Sequence, residues 1–251
     1  MTFDGKVLFA TGGGSGIAAA TARRFVAGGG RVAVVDLDLA RAEAVTADLD
    51  GCIGLAADVA DEASVERAIA DTVSRLGRID AVLNAAGHAE FGPLDEWPLE
   101  RWNRMLSVHA GGTFLVCKHA VPVLRQGGPG GAIVNIASTA ALTANNHNAP
   151  YGAAKGAIVA FSRQLARDVA PDIRVNVVAP GRVRTGMTEP LMEQRGGGDV
   201  AAGAKAFGAV NLQQRVGEPD EIAAPICFLL SSDASFMTGT MIVADGGETA
   251  I

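Results

Sequence analysis

Seven short apolar runs recur along this chain, and a helical stretch or a long connection separates each from the next. They are "KVLFAT" at 6–11, "RVAVVD" at 31–36, "CIGLAAD" at 52–58, "IDAVLNAAG" at 79–87, "GAIVNIAS" at 131–138, "IRVNVVAP" at 173–180 and "GTMIVADGG" at 239–247. A strand with water on one face alternates apolar and polar residues, whereas one covered on both faces is apolar nearly throughout. Helical patterning fills the intervals, from Ser15 to about Ala27 (ending at the breaker "GGG" 28–30), then 39–49, 61–76, a long helix within 99–125, 151–169 and 219–230. Successive strand–helix–strand units stack by right-handed crossovers into a helix–sheet–helix sandwich. The expectation is an α/β fold: one doubly wound parallel sheet of about seven strands with helices on both faces. No linker, solenoid-period repeat or low-complexity block interrupts residues 1–251, which read as a single domain.

Charge narrows the partners. With 27 acidic and 21 basic residues the net charge is −6, so no basic surface is expected for nucleic acid or an anionic membrane. No apolar run approaches the ~18 residues a membrane span requires. The opening "MTFDGKVLFATGGG" lacks the basic segment and long apolar core of a secretory leader. Cys52, Cys117 and Cys227 are odd in number, show no metal-ligand spacing and sit beside apolar residues. Packed, reduced thiols in a cytoplasmic protein without a metal site are expected.

Ligands on open parallel sheets bind beyond the strands' carboxyl ends, so the loops there carry the chemistry. After the first run comes "TGGGSGIA" at 11–18. Gly12, Gly13, Gly14 and Gly16 let the backbone turn tightly and approach a phosphate, while the helix opening at Ser15, Gly16 and Ile17 offers it free N–H groups. Asp36 ends the second run; a carboxylate there accepts hydrogen bonds from the hydroxyls of an adenosine ribose and repels a 2′-phosphate. Ser15 and Leu37 leave the flanking positions without a basic residue, which favours NAD over NADP. Asp58 and Val59 close the third run, where an adenine ring would lie. Asn84, Ala85, Ala86 and Gly87 form a small-residue turn that admits a flat ring. Each of these also has a plain structural reading as a turn or strand end. A glycine-rich turn with an acid on the second strand equally describes methyltransferases that bind S-adenosylmethionine.

The later motifs separate the two. "TGGGSGIA", Asp36, "DV" at 58–59, "NAAG", Ser138, "YGAAK" at 151–155, "PGRVRT" at 180–185 and "DGG" at 245–247 stand in the order and approximate spacing of the short-chain dehydrogenase/reductase family, which this chain resembles over essentially its whole length. The resemblance implies a Rossmann-type domain. It also implies an NAD-dependent oxidoreductase that interconverts a secondary alcohol and its ketone by hydride transfer. Tyr151 is the chain's single tyrosine, and Lys155, four residues on, shares its helix face. A phenol with an ordinary pKa of about 10 is a poor base near neutrality. The expectation is that the ammonium and a positively charged nicotinamide bring it down, so that Tyr151 acts as general acid and base. By resemblance Lys155 also binds the nicotinamide ribose, Ser138 donates to the substrate oxygen, and Thr185 with the Val183 backbone holds the carboxamide. Pro180 and Gly181 complete that cofactor segment.

Two positions depart from the family pattern. Ala18 replaces a frequent third glycine of the fingerprint. His109, in "WNRMLSVHAGGTFL", stands where most members carry asparagine. We expect it to hold a kink in the long helix and, titrating near an ordinary pKa of about 6.5, to continue a proton relay from Lys155. The segments 88–94 and 140–150 and the connection 186–214 should enclose a small or medium alcohol or ketone, cyclic or hydroxylated, with the connection as lid. Small and apolar residues on the 99–125 and 151–170 helices, together with the resemblance, imply a homotetramer. A cofactor-binding protein of the same fold without turnover is the alternative, and it has no need of the phenol.

Overall fold

The computed structural model describes residues 1–250. Its strands are β1 (Val7–Thr11), β2 (Arg31–Asp36), β3 (Ile53–Ala56), β4 (Ala81–Asn84), β5 (Gly131–Ile136), β6 (Ile173–Pro180) and β7 (Met241–Ala244). All pair in parallel in the order β3-β2-β1-β4-β5-β6-β7. Around them lie α1 (Gly16–Ala27), α2 (Leu39–Thr46), α3 (Glu62–Leu76), α4 (Leu99–Leu106), α5 (Gly112–Gln126), α6 (Ala149–Asp168), α7 (Glu189–Arg195), α8 (Val200–Gly208) and α9 (Pro219–Leu230). The chain order reverses between β1 and β4, so the loops after these strands part and open a crevice.

The period of two along each strand divides the core. Leu8 and Ala10 of β1 join one apolar layer with Phe25 of α1 and Ile226 and Leu229 of α9. Val7 and Phe9 join the other, with Ile69 of α3, Leu124 of α5 and Ala166 of α6. Every residue of β1 and β5 is buried, as expected of strands covered on both faces.

Several elements are shorter than the apolar runs that announce them. β4 begins at Ala81 because Asp80 is turned to other work: its carboxylate accepts from the Val7 N–H at 2.9 Å and pairs with Lys6 and Arg78. β3 and β7 likewise cover only the middle of their runs, and α2 stops at Thr46. α6 starts two residues before Tyr151, with Pro150 in its first turn, where a missing N–H costs nothing. The long helix is two helices joined by one π-helical turn, Ser107–Gly111. The connection 186–214 is largely helical: α7 and α8 pack on each other through a small core of Met192, Ala204, Phe207 and Val216. Cys52, Cys117 and Cys227 are free. Among the described residues no cluster of metal-ligating side chains occurs, and no helix is long and apolar enough to cross a membrane.

Candidate active site

The glycine-rich turn lies in close contact with the turn after β4. A Cβ on Gly12, whose φ is +64°, would sit 2.8 Å from the Ala86 Cα, so only glycine permits this approach. Thr11 binds the two turns together, its hydroxyl accepting from the Ala85 and Ala86 N–H groups at 3.2 and 3.4 Å. Ser15 caps α1 without spending its side chain on the helix, which leaves a hydroxyl beside the helix's free N–H groups. Asp36 is pinned across the crevice, accepting from the Gly14 N–H at 2.9 Å and the Asp38 N–H at 3.1 Å. Between these groups runs a cavity of about 280 Å³.

That cavity is bordered by Gly12, Ser15, Gly16, Ile17, Asp36, Ala85 and Gly87 together with Ser138, Tyr151, Lys155, Pro180, Gly181, Val183 and Thr185. Anion-binding N–H groups, a carboxylate beyond them and a small-residue floor fit a dinucleotide. The other candidates lie elsewhere. Asp58 is exposed and caps the following turn, accepting from the Ala60 N–H. Val59 is buried against Gly112 of α5. Ala86 serves as the contact surface for Gly12. Asn84 is buried and donates to Asn135 Oδ1 at 2.8 Å, the start of a polar chain continued by the Asn135–Ser162 hydrogen bond. Sequence reading missed Arg41, which overhangs the Asp36 end of the cavity from α2; one turn into the helix after β2 is where such a group falls.

Tyr151, in the first turn of α6, faces Ser138, two residues beyond β5. Lys155 is buried, donates to the Ile136 carbonyl at 3.0 Å, and sits with Nζ 5.5 Å from the centre of the Tyr151 ring. The chain's own groups do not acidify the phenol. Burial pushes Tyr151 up to about 12, a hydrogen bond with Ser138 opposing it only in part. Burial also drives Lys155 down to about 7, so this amine is a weak source of positive charge near neutrality.

His109 occupies the π-helical turn and keeps its structural part. Its Nε2 donates to the His88 carbonyl at 2.8 Å, tying the kinked helix to the loop after β4. A Cβ on Gly87 would collide with its ring. Burial, with Lys155 next in effect, holds the imidazole down at about 3, which favours its neutral form, and no direct hydrogen bond joins it to Lys155.

A second cavity, of about 410 Å³, adjoins the first and shares Ser138 and Tyr151 with it. Phe91, Asn145, Asn148, Met187, Leu191 and Phe207 border it, so α7 and α8 form part of its wall, as expected for 186–214. Arg182 and Glu248 also line it. Neither stood out in the sequence, because the two are 66 residues apart and meet only in the fold.

Known proteins resemble this chain in sequence and in fold. A family model described as enoyl-(acyl carrier protein) reductase matches residues 12–249. Levodione reductase of Leifsonia aquatica is 35% identical over 256 residues, spanning 99% of this chain and 96% of the relative. D-threitol dehydrogenase of Mycolicibacterium smegmatis is 38% identical, spanning 98% and 94%. A solved structure from Brucella melitensis, titled a short-chain dehydrogenase/reductase and glucose/ribitol dehydrogenase, superposes with a TM-score of 0.90 at 35% identity, covering 99% of each chain. The chain belongs to the short-chain dehydrogenase/reductase family and is an NAD(P)-dependent oxidoreductase acting on CH–OH donors.

Proposed function

We propose that the protein interconverts a secondary alcohol and its ketone with NAD, and that Tyr151 carries the proton. The observation behind this reading is that Ser138 and Tyr151 border both cavities at once, the groove fitted to a dinucleotide and the chamber beside it. Ser138 donates to the substrate oxygen and orients it toward the phenol. Tyr151 takes the hydroxyl proton in oxidation and returns it to the carbonyl oxygen in reduction. When bound, an oxidised nicotinamide accepts the hydride and brings a positive charge that offsets the upward push of burial on the phenol. Lys155, fixed by the Ile136 carbonyl, holds the cofactor's ribose, and Thr185 with Val183 holds its carboxamide.

Asp36 supports NAD as the cofactor. Both its oxygens point into a turn that positions them rigidly, and a 2′-phosphate placed there would meet a carboxylate. We also propose a homotetramer assembled through α5, α6 and the C-terminal segment. Phe114 of α5 is 47% exposed, Gly156 of α6 faces open space, and Phe236 lies fully outside the fold. The three free thiols suit a cytoplasmic location.

Tyr151→Phe is expected to lower kcat by about 10²–10⁴-fold while NADH titration still shows binding; an unchanged kcat refutes the proton role. Wild-type kcat/KM should favour NAD over NADP by about tenfold or more, and Asp36→Ser should collapse that ratio. For Lys155 the sign follows from its lowered pKa. Between about 7 in the folded protein and 10.5 unfolded, the unfolded chain holds a proton that the folded one lacks. Stability of the cofactor-stripped protein therefore rises with pH above 7 on this account, and urea midpoints at pH 7 and 9 should show Lys155→Met flattening the rise. Sedimentation velocity at micromolar protein should give a tetramer; a monomer overturns the assembly.

A further inference from the structure

The second cavity contains a pair of opposite charges that the hydride chemistry does not use. Arg182 follows β6, and Glu248 opens the last turn of the chain. Arg182 Nε meets Glu248 Oε1 at 3.4 Å, the two side chains being only 15% and 10% exposed. The turn presenting Glu248 is stiff: the Asp245 carboxylate accepts from the Gly247 N–H at 2.8 Å and the Thr249 N–H at 2.7 Å. The lid supports Arg182 from the other side, with the Phe207 ring of α8 centred 4.6 Å from its guanidinium carbon.

The pair is incomplete. Glu248 Oε2 is enclosed and has no hydrogen-bond partner among the described residues. Among the described residues the only side-chain hydrogen bond of Arg182 is the one through Nε, and its two terminal nitrogens make none. Buried polar atoms in folded proteins are nearly always paired, and one left open beside a ligand cavity marks where a ligand group belongs. What remains open is one strong acceptor beside strong donors. An anion would satisfy Arg182, and Arg195 also borders the cavity, but at this pair it would face the Glu248 charge and leave Oε2 unmet. An ammonium would do the reverse, and an apolar group would leave both unmet. A hydroxyl, which donates and accepts through one oxygen, meets both.

We infer that Arg182 and Glu248 recognise a second hydroxyl of the substrate, so that the substrate is a small polyol or hydroxylated ring and not a simple secondary alcohol. The inference rests on the reading of Tyr151 as the group that deprotonates the first hydroxyl, in the same cavity. Arg182 and Glu248 are specificity-determining residues on this account.

The test compares both enantiomers of 2-butanol with a stereochemically complete set of butanediols and butanetetrols, all with NAD. The best polyol should exceed 2-butanol in kcat/KM by about tenfold or more, through KM, as a hydrogen bond to a buried charge predicts. Glu248→Gln should lower that polyol-to-butanol ratio at least fivefold, again through KM, whereas Tyr151→Phe should lower kcat for both classes. If the Gln variant does not fold, the double variant Arg182→Met with Glu248→Leu leaves no lone charge behind and should lose the ratio in the same way. Equal use of 2-butanol and every polyol, or a ratio unmoved by both variants, overturns the inference and leaves Tyr151 untouched. Preference for a four-carbon hydroxy acid over all polyols overturns it too, because the pair would then be an anion site. Turnover of no alcohol at all removes the Tyr151 reading and this one with it.

Discussion

A parallel sheet buried on both faces aims every strand's carboxyl end at one rim, and everything functional in this protein follows from that constraint. β1, β2, β4, β5 and β6 deliver the glycine-rich turn, Asp36, the Ala85–Gly87 turn, Ser138 and the Pro180–Thr185 segment to that rim. Inside the strands the polar side chains, such as Thr11, Asn84 and Asn135, are buried and serve the structure. Reactive groups are therefore confined to the residues just past the strand ends. The order reversal between β1 and β4 then supplies the gap in which a long, thin ligand lies.

Water exclusion at the rim sets the electrostatics more strongly than charge pairing does. Tyr151, Lys155 and His109 all lie within one small region, and burial is the largest influence on each. It acts in the same sense on all three, disfavouring the charged form: the phenol goes up, the amine and the imidazole go down. A spacing of four on a helix correctly brings Lys155 to Tyr151, but the argument from spacing assumed an ammonium already charged. In the folded protein that charge is itself expensive. On the proposed reading a further positive group entering the crevice favours the phenolate, so the proton chemistry belongs to the loaded site.

The fold was legible because continuous apolar runs admit few alternatives, and because crossover handedness removes most of those that remain. The candidates that border the cavity were readable for the same reason: Gly12, Asp36, Ser138, Tyr151 and Thr185 sit at strand ends or helix starts, positions that the pattern of elements specifies. What escaped was tertiary in origin. Asn84 ends β4, and Asp58 and Val59 follow β3 by two and three residues, yet the side chains of Asp58, Val59 and Asn84 respectively cap a turn, fill the core and begin a buried polar chain. Nothing in a strand's own sequence tells which of its last residues will turn inward. The π-helical turn at Ser107–Gly111 was anticipated as a kink but not as a break in the helix, since its cause lies across the fold. Gly112 must pack under Val59 while His109 reaches the His88 carbonyl.

The least legible part is the one that selects substrate. The proposed rate chemistry uses groups four and thirteen residues apart, Lys155 and Ser138 on either side of Tyr151, and such spacings survive in a linear reading. The inferred selectivity draws instead on a residue after β6, another in the last turn and a ring from α8, which no local pattern connects. The separation has a physical reason. Proton transfer tolerates errors of only a fraction of an ångström, so its groups are best fixed on neighbouring rigid elements. Recognition of a remote hydroxyl, as inferred above, tolerates more, so it can be split between the sheet rim and the α7–α8 segment, which packs on its own small core. On that inference Arg182 on the rim supplies the donors, while Phe207 on α8 packs 4.6 Å from its guanidinium carbon and braces it.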